Sequence, residues 1–335
     1  MSAICDKCGK FNSVSRAAVV PSWVVVLMDF DEHNSKNQNI LPERIAVNFI
    51  HLSYKEAGLE VDREEIVQSP MRYDLPEVPD FWGKSYFRIL DEYINICNTM
   101  EQCALLSMAL SDDKSISVIL IVLNQIKNNL SAIRLLLYRG MEGQARIIIR
   151  NLYENCVALS RMVVDEQMRI KFKSEKSAED SNKLWYEYMS KSKSVEYLRR
   201  HNKNNGGKCA LVDHPFIDDF YKIIGMSAHP NYLFSSMEYL DNMRTTGLLN
   251  CNIKNITMFT IISSIHISAF TLGFVAINRN NIFGDAPWIM KDGIFGHIEK
   301  NTDVAFSLGK VATLISILLM KWEESPDSDL PDERL

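Results

Sequence analysis

The sequence predicts an all-α fold, a multi-helix bundle of about six or seven helices with an irregular N-terminal extension. Glycine and proline, which interrupt helices, number only 14 and 10 in a chain of 335 residues. From Trp82 onward, long segments carry apolar residues at helical spacing and are separated by short polar breaks. Scarce helix breakers and helical periodicity together are typical of a helical bundle.

The chain divides into three parts by composition. Residues 1–80 form the irregular extension, which carries a CxxC motif and a proline-punctuated connector. Within it, Leu41 to Leu59 has helical spacing, with Pro42 in a first-turn position and Gly58 near the end. Residues 81–323 form the helical bundle domain. The acidic tail, residues 324–335, is predicted to be disordered.

The helices of the bundle are expected in a simple order. Polar Ser111 to Asp113 can cap the second helix, and Gly140 separates the second from the third. His201 to Lys208 and residues 278–301 are predicted loops, and 165–176 is a charged turn or helix. The predicted helices lie near residues 84–111, 115–139, 141–163, 164–200, 215–228, 254–279 and 303–323.

Charge and cysteine content indicate a cytoplasmic protein without a global attraction for nucleic acid. The net charge is −5, so any phosphate contact requires a local basic patch. The cysteine count is seven, an odd number, and most of these cysteines lie in apolar helical context. That pattern is typical of reduced thiols in the cytosol. The N-terminus lacks the order of a signal peptide.

One segment favours a membrane as an alternative. Ile256 to Ile277 carries no formal charge and is long enough to span a bilayer. However, it contains His266 and several serines and threonines, and its flanks show no inside-positive bias. A buried core helix has the same pattern, and we expect this interpretation over a membrane span.

The most informative segment is ARIIIRNLYENCVAL, residues 145–159, which places Arg146, Arg150 and Glu154 one turn apart. The same helical face carries Ile147, Val157 and Ala158. We therefore predict a buried or half-buried pair between Arg150 and Glu154. As a functional site, the glutamate would position the arginine to bind a phosphate or carboxylate. As a structural feature, the pair would link helices.

A second unusual segment, YKIIGMSAHPNY, covers residues 221–232. His229 precedes Pro230, which cannot continue a helix. A histidine there suits a general acid or base, or a cap at a helix end. Tyr221 and Ser227 are candidate substrate-binding residues beside it, or residues that pack a helix end.

Two weaker signals remain. Cys5-x-x-Cys8 is half of a zinc site, which needs two further ligands, or else a pair of exposed thiols. Arg199, Arg200, His201, Lys203 and Lys208 form the strongest basic cluster, which suits RNA or a solvated helix face. The sequence contains no GxxxxGK[ST], GxGxxG, HExxH or GxSxG motif, so it predicts no other cofactor and no chemistry of those classes.

The Arg150-x-x-x-Glu154 helix and the Ser227-x-His229-Pro230 helix end resemble an uncharacterised bacterial all-helical family, over about residues 85–280. That family is more distantly similar to HEPN domains, which are helical bundles, often dimeric, that include metal-independent RNases of defence and toxin systems. In those RNases an arginine and a histidine four to six residues later act on the 2′-hydroxyl and the scissile phosphate. This chain departs from the pattern, because no arginine precedes His229 at that spacing. Arg150 and His229 would have to meet in space, within one chain or across a dimer.

Three functional hypotheses follow. The first, from the resemblance, is an HEPN-like bacterial stress or phage-defence effector that acts on RNA or a nucleotide. Arg150 would bind phosphate with Arg146 nearby, Glu154 would orient it, and His229 would be the acid or base. The second is a non-catalytic interaction module that forms a homo-oligomer or docks on a cognate partner protein. The third is a membrane-acting toxin that uses residues 256–277.

Overall fold

The structure is a computed structural model. It describes residues 42–62, 66, 81–110, 115–138, 141–205, 209–214, 217, 220, 254–283, 298 and 300–309. The described part of the chain is helical and contains no strand, so the predicted all-α fold is confirmed. The helices are α1 Pro42–Glu56, α2 Phe81–Leu110, α3 Ile116–Tyr138, α4 Glu142–Val164, α5 Glu166–Lys173, α6 Ala178–Leu184, α7 Lys191–Asn204, α8 Ala210–Asp213, α9 Lys254–Ile277 and α10 Asn280–Phe283. A π-helical turn, Trp185–Met189, lies between α6 and α7, and residues 300–309 are also helical.

The first helix begins and ends at the residues that the sequence indicates. Pro42 is its first residue, where a missing N–H is tolerated. At its end the Leu59 N–H donates to the Tyr54 carbonyl at 2.9 Å, and Gly58 has a φ of +71°. This is the Schellman geometry, which needs a residue that tolerates positive φ. Helix α1 packs on α2, so this part of the predicted extension shares the core of the bundle.

The body of the bundle is formed by α2, α3 and α4, which follow one another in sequence and pack side by side. Helix α9 packs against all three. Apolar residues of these four helices form one continuous core. Because α4 also contacts α7 and α10, it lies between the core and the later part of the chain.

Helix α9 is the apolar segment for which the sequence left a membrane span open. Its residues Ile261, Ile265 and Leu272 are buried. Two buried hydroxyls donate to carbonyls one turn earlier, Ser264 to Thr260 and Thr271 to Ile267, both at 2.8 Å. Such bonds satisfy polar side chains inside a helix bundle. These contacts favour the core interpretation of the segment.

Two described helices have the length and apolar composition that a membrane span requires. In α9, 78% of the most apolar window, Thr260–Ile277, is buried against the protein. In α3, which the sequence analysis did not single out, the corresponding share is 44%. Core helices of soluble proteins meet the same criteria, so length and composition alone do not make either helix a membrane span.

The prediction of a single helix near 164–200 is wrong, because local caps divide this region. The Asp165 carboxylate accepts from the Met168 N–H at 3.0 Å and begins α5. The Ser177 hydroxyl accepts from the Asp180 N–H at 3.1 Å and begins α6. Asp and Ser are preferred N-caps because they satisfy free N–H groups of the first turn.

Two predicted loops also need correction. Helix α7 continues to Asn204, so the predicted loop from His201 to Lys208 is helical over its first residues. The predicted loop over residues 278–301 contains the short helix α10, where Asn281 N–H bonds to the Asn278 carbonyl at 3.0 Å. The predicted tail, residues 324–335, lies outside the described residues. Of the predicted helices near 215–228 and 303–323, the structure describes residues 217, 220 and 303–309.

Candidate functional site

The Arg150–Glu154 pair is present on α4. The Arg150 Nε lies 3.3 Å from the Glu154 Oε1, and the two side chains are 32% and 17% exposed. The predicted half-buried pair is therefore confirmed. Because the two residues are four apart on one helix, their side chains meet through local geometry alone. The pair holds one edge of the guanidinium while solvent still reaches the side chain.

The other residues that the sequence placed on this helical face differ from one another in solvent exposure. Arg146 is only 6% exposed, whereas Ile147 is 45% exposed. Val157 and Ala158 are buried, as an apolar face requires. Burial favours a structural role for Arg146 rather than contact with a substrate from solvent.

Tyr153 connects this face of α4 to the chain that follows α7. Its hydroxyl donates to the Leu211 carbonyl at 3.3 Å. Its ring meets Phe220 edge to face, with the ring centroids 6.2 Å apart and a 72° angle between the planes. Leu211 and Phe220 therefore both contact Tyr153, the residue that precedes Glu154. The remaining predicted site residues, Tyr221, Ser227, His229, Cys5 and Cys8, lie outside the described residues.

A groove opens beside Tyr153, between α4, α7 and α8. It is partly open to solvent and has a volume of about 420 Å³, within the usual size of a small-molecule site. We call it the α7 groove. Three residues of its lining, Tyr153, Val195 and Val212, are buried. The full lining is Tyr153, Ser192, Val195, Glu196, Arg199, Arg200, Lys203 and Val212.

Three cations and two carboxylates lie at the groove. Arg199 donates from Nε and Nη2 to the Val212 carbonyl, at 3.2 and 2.7 Å, and its Nε lies 3.6 Å from the Asp213 carboxylate. Arg200 pairs with Glu196 at 2.8 Å, with both side chains mostly exposed. Lys203 is exposed and forms no hydrogen bond or ion pair with the part of the chain that the structure describes. The sequence identified this basic cluster but not the cavity beside it.

A buried ionic cluster joins α1, α2 and α3, and the sequence analysis missed it. Arg134 binds Asp91 through two bonds, Nε to Oδ1 and Nη2 to Oδ2, the latter at 2.9 Å. Their side chains are 3% and 6% exposed. Glu92 accepts hydrogen bonds from the Tyr54 hydroxyl and from Asn95, the latter at 3.4 Å. The available signal was the presence of Asp91, Glu92 and Arg134 among the apolar residues of their helices.

Burial dominates the titration of this cluster. It raises the pKa of Glu92 above its usual value, against the hydrogen bonds from Tyr54 and Asn95. Burial likewise raises the pKa of Asp91, against the hydrogen bond and charge of Arg134. Loss of water disfavours a carboxylate more than these partners favour it. The cluster holds helices together and lies apart from the α7 groove.

The described cysteines are not suited to nucleophilic chemistry. Cys97, Cys103, Cys156 and Cys209 are free and buried. Burial raises the pKa of the Cys97 and Cys156 thiols to about 12 and that of Cys209 to about 11. A thiol of that pKa remains protonated at neutral pH, and the thiolate is the nucleophile. Among the described residues, no three His, Cys, Asp or Glu side chains form a metal-binding group.

Replacing Glu92 with glutamine is expected to change how stability depends on pH. The unfolded chain loses this proton near pH 4.5, whereas the folded pKa is higher. The contribution of Glu92 to the free energy of unfolding is therefore complete below that pH and is lost as pH rises through the folded pKa. Relative to wild type, Glu92→Gln should become more stable as pH rises above 4.5 towards the raised folded pKa. Urea unfolding across this range, with exposed Glu179→Gln as control, tests this, and parallel curves for wild type and Glu92→Gln would contradict it.

The fold and the α7 groove define an all-α bundle with a basic, ligand-sized groove to which α4 contributes Tyr153. No family model matches the chain, and no curated protein or solved structure matches it.

Proposed function

We propose that this chain acts on RNA or a nucleotide as a metal-independent ribonuclease, with Arg150, Glu154 and His229 in one site. One observation carries the proposal. Phe220 packs against Tyr153, the residue that precedes Glu154 on α4. His229 follows Phe220 by nine residues, a length of chain that spans at most about 30 Å. This length is compatible with contact between His229 and Arg150 within one chain.

Arg150 has the chemistry of a phosphate ligand. Its guanidinium is planar and permanently charged, and it can bind two phosphate oxygens at once. Glu154 holds it from one side through Nε, and the side chain is still 32% exposed. A positioned cation stabilises the charge that develops on phosphorus-bound oxygens during cleavage, which is the main catalytic requirement when no metal takes part.

His229 supplies the proton transfer in this proposal. A histidine accepts a proton near neutral pH and is suited to general base catalysis. It takes the proton of the 2′-hydroxyl, whose oxygen forms a bond to phosphorus while the bond to the 5′-oxygen breaks. The leaving oxygen takes a proton from water. The products are a 2′,3′-cyclic phosphate and a 5′-hydroxyl end.

The setting that we propose is the bacterial cytoplasm, where the protein would be a stress or phage-defence effector. The active form would be a homo-oligomer, whereas docking on a cognate partner protein belongs to the interaction-module alternative. The support for this setting is the resemblance of the Arg150 and His229 segments described above. The groove and the Arg150–Glu154 pair support the acidic-ligand chemistry, and the burial of α9 supports the bundle over the membrane-toxin alternative.

Incubation of the full-length protein with total RNA in EDTA tests the proposal. We expect cleavage to 2′,3′-cyclic phosphate ends, with the rate lowered about 10²–10⁴-fold in His229→Ala, because that variant loses the general base. Arg150→Ala should lower the rate strongly and Arg150→Lys less so, because lysine keeps the charge without the second donor. DNA of the same sequence lacks the 2′-hydroxyl and should remain intact.

The control is His51→Ala. His51 lies on α1, which packs on α2, and its ring nitrogen contacts the Val61 carbonyl at 3.0 Å. This variant should keep wild-type cleavage, and thermal unfolding should show that all variants are folded. Cleavage that persists in both Arg150→Ala and His229→Ala would overturn the proposed site. Absence of cleavage by wild type would overturn the ribonuclease and favour the interaction module.

A further inference from the structure

We infer that the α7 groove is a binding site for a nucleoside phosphate, with its buried lining against the sugar and base and its cations on the phosphate. This inference deepens the proposed function, on which it rests for the choice of a nucleotide as ligand. The groove does not include Arg150, Glu154 or His229. It would therefore bind a nucleotide at a place distinct from those three residues.

The size of the cavity selects the ligand class. A volume of about 420 Å³ is at the lower part of the range for small-molecule sites. It accommodates one nucleotide rather than a length of strand. Because the groove lies between three helices, a strand would continue outside it over the protein surface.

The lining of the groove has an apolar half and a cationic half. Tyr153, Val195 and Val212 are buried and form the apolar half. Apolar and aromatic side chains favour the flat, weakly polar faces of a base. Lys203 and Arg200 are exposed on the cationic half, where ammonium and guanidinium groups bind phosphate oxygens.

Arg199 is held in place at the basic half of the groove by hydrogen bonds. Its two bonds to the Val212 carbonyl use Nε and Nη2. Those bonds tie α7 to α8 and hold the guanidinium at the groove, with the Asp213 carboxylate 3.6 Å from its Nε. A cation that is already held in place loses less conformational entropy when it binds an anion.

The balance of charge also favours an anion. The lining contains Arg199, Arg200 and Lys203 against the carboxylate of Glu196, and the Asp213 carboxylate lies 3.6 Å from Arg199. Three cations against two carboxylates leave one net positive charge, a small local reversal of sign in a protein whose net charge is −5. Such a reversal attracts an acidic ligand to one place on the surface and is screened as salt increases.

Isothermal titration calorimetry of the full-length protein with the four nucleoside 5′-monophosphates tests the inference. These probes contain no phosphodiester, so binding is measured independently of cleavage. At least one should bind with a Kd below about 1 mM. Lys203→Ala and Arg200→Ala should each weaken binding about tenfold, because each removes a charge-assisted bond.

A steric variant distinguishes the groove from general surface attraction. Ser192 lines the groove on an exposed turn of α7, so Ser192→Trp fills the cavity without a change in charge. Binding should be lost in Ser192→Trp and unchanged within about twofold in Lys183→Ala, an exposed lysine of α6 outside the groove. Binding that survives in Ser192→Trp, or the absence of binding by all four monophosphates and by the oligonucleotide below, would overturn the inference.

A second titration distinguishes a nucleotide that is part of an RNA strand from a free nucleotide. A 5′-phosphorylated tetraribonucleotide is added to His229→Ala protein, which leaves the strand intact if the proposed function is correct. Binding of the oligonucleotide alone, abolished by Ser192→Trp, supports the groove as an RNA site. Equal binding of the monophosphates supports a free nucleotide. Groove binding without any RNA cleavage by wild type would retain this inference and overturn the ribonuclease.

Discussion

Replacement of Asp91 with alanine is expected to lower the free energy of unfolding by about 3–5 kcal/mol, among the largest effects of a single substitution in this chain. Asp91 accepts two bonds from Arg134, and both side chains are almost fully buried. The charge of Arg88 also acts on this carboxyl group. Without Asp91, two arginines would remain in the interior with less compensation for their lost hydration. Urea unfolding of the full-length variant measures the change.

Two further variants show whether burial is the cause. The Arg200–Glu196 pair has side chains that are 71% and 60% exposed, so Glu196→Ala should cost less than about 1 kcal/mol. Asp91→Leu combined with Arg134→Met should recover much of the loss, since an apolar pair requires no hydration. An Asp91→Ala protein as stable as Glu196→Ala would contradict the expected effect.

Replacement of Tyr153 with alanine is expected to cost about 3–5 kcal/mol, as for other large buried aromatic residues. Tyr153 is 1% exposed, contacts Phe220 and lines the α7 groove. The loss would leave a cavity between α4 and the 209–220 segment. Tyr153→Phe removes only the hydroxyl bond to the Leu211 carbonyl and should cost about 1 kcal/mol.

Comparison of the two Tyr153 variants separates packing from hydrogen bonding. In chemical unfolding, the free energy of unfolding should be far lower for Tyr153→Ala than for Tyr153→Phe. Nucleotide binding in the α7 groove should persist in Tyr153→Phe, which retains the ring. Equal destabilisation by the two substitutions would show that the hydroxyl, rather than the ring, accounts for the role of Tyr153.

Features that depend on neighbouring residues could be predicted from the sequence. The Arg150–Glu154 pair is one example, because residues four apart on a helix meet whatever surrounds them. The bounds of α1 are another, since Pro42 and Gly58 act through their own backbone preferences. The division of the 164–200 region was also local. The caps Asp165 and Ser177 were visible, but the helical periodicity on either side of them obscured these signals.

Features that depend on distant residues required the tertiary structure. Asp91 and Arg134 are 43 residues apart, and the local sequence around either residue does not predict that they form a pair. The α7 groove combines Tyr153, the exposed face of α7 and Val212, and only helix packing brings these together. The sequence by itself therefore determined that the chain is an all-α bundle with an arginine–glutamate pair on α4. Only tertiary packing decided which charges are buried and where a cavity meets the basic cluster, because both depend on contacts between helices that are remote in the chain.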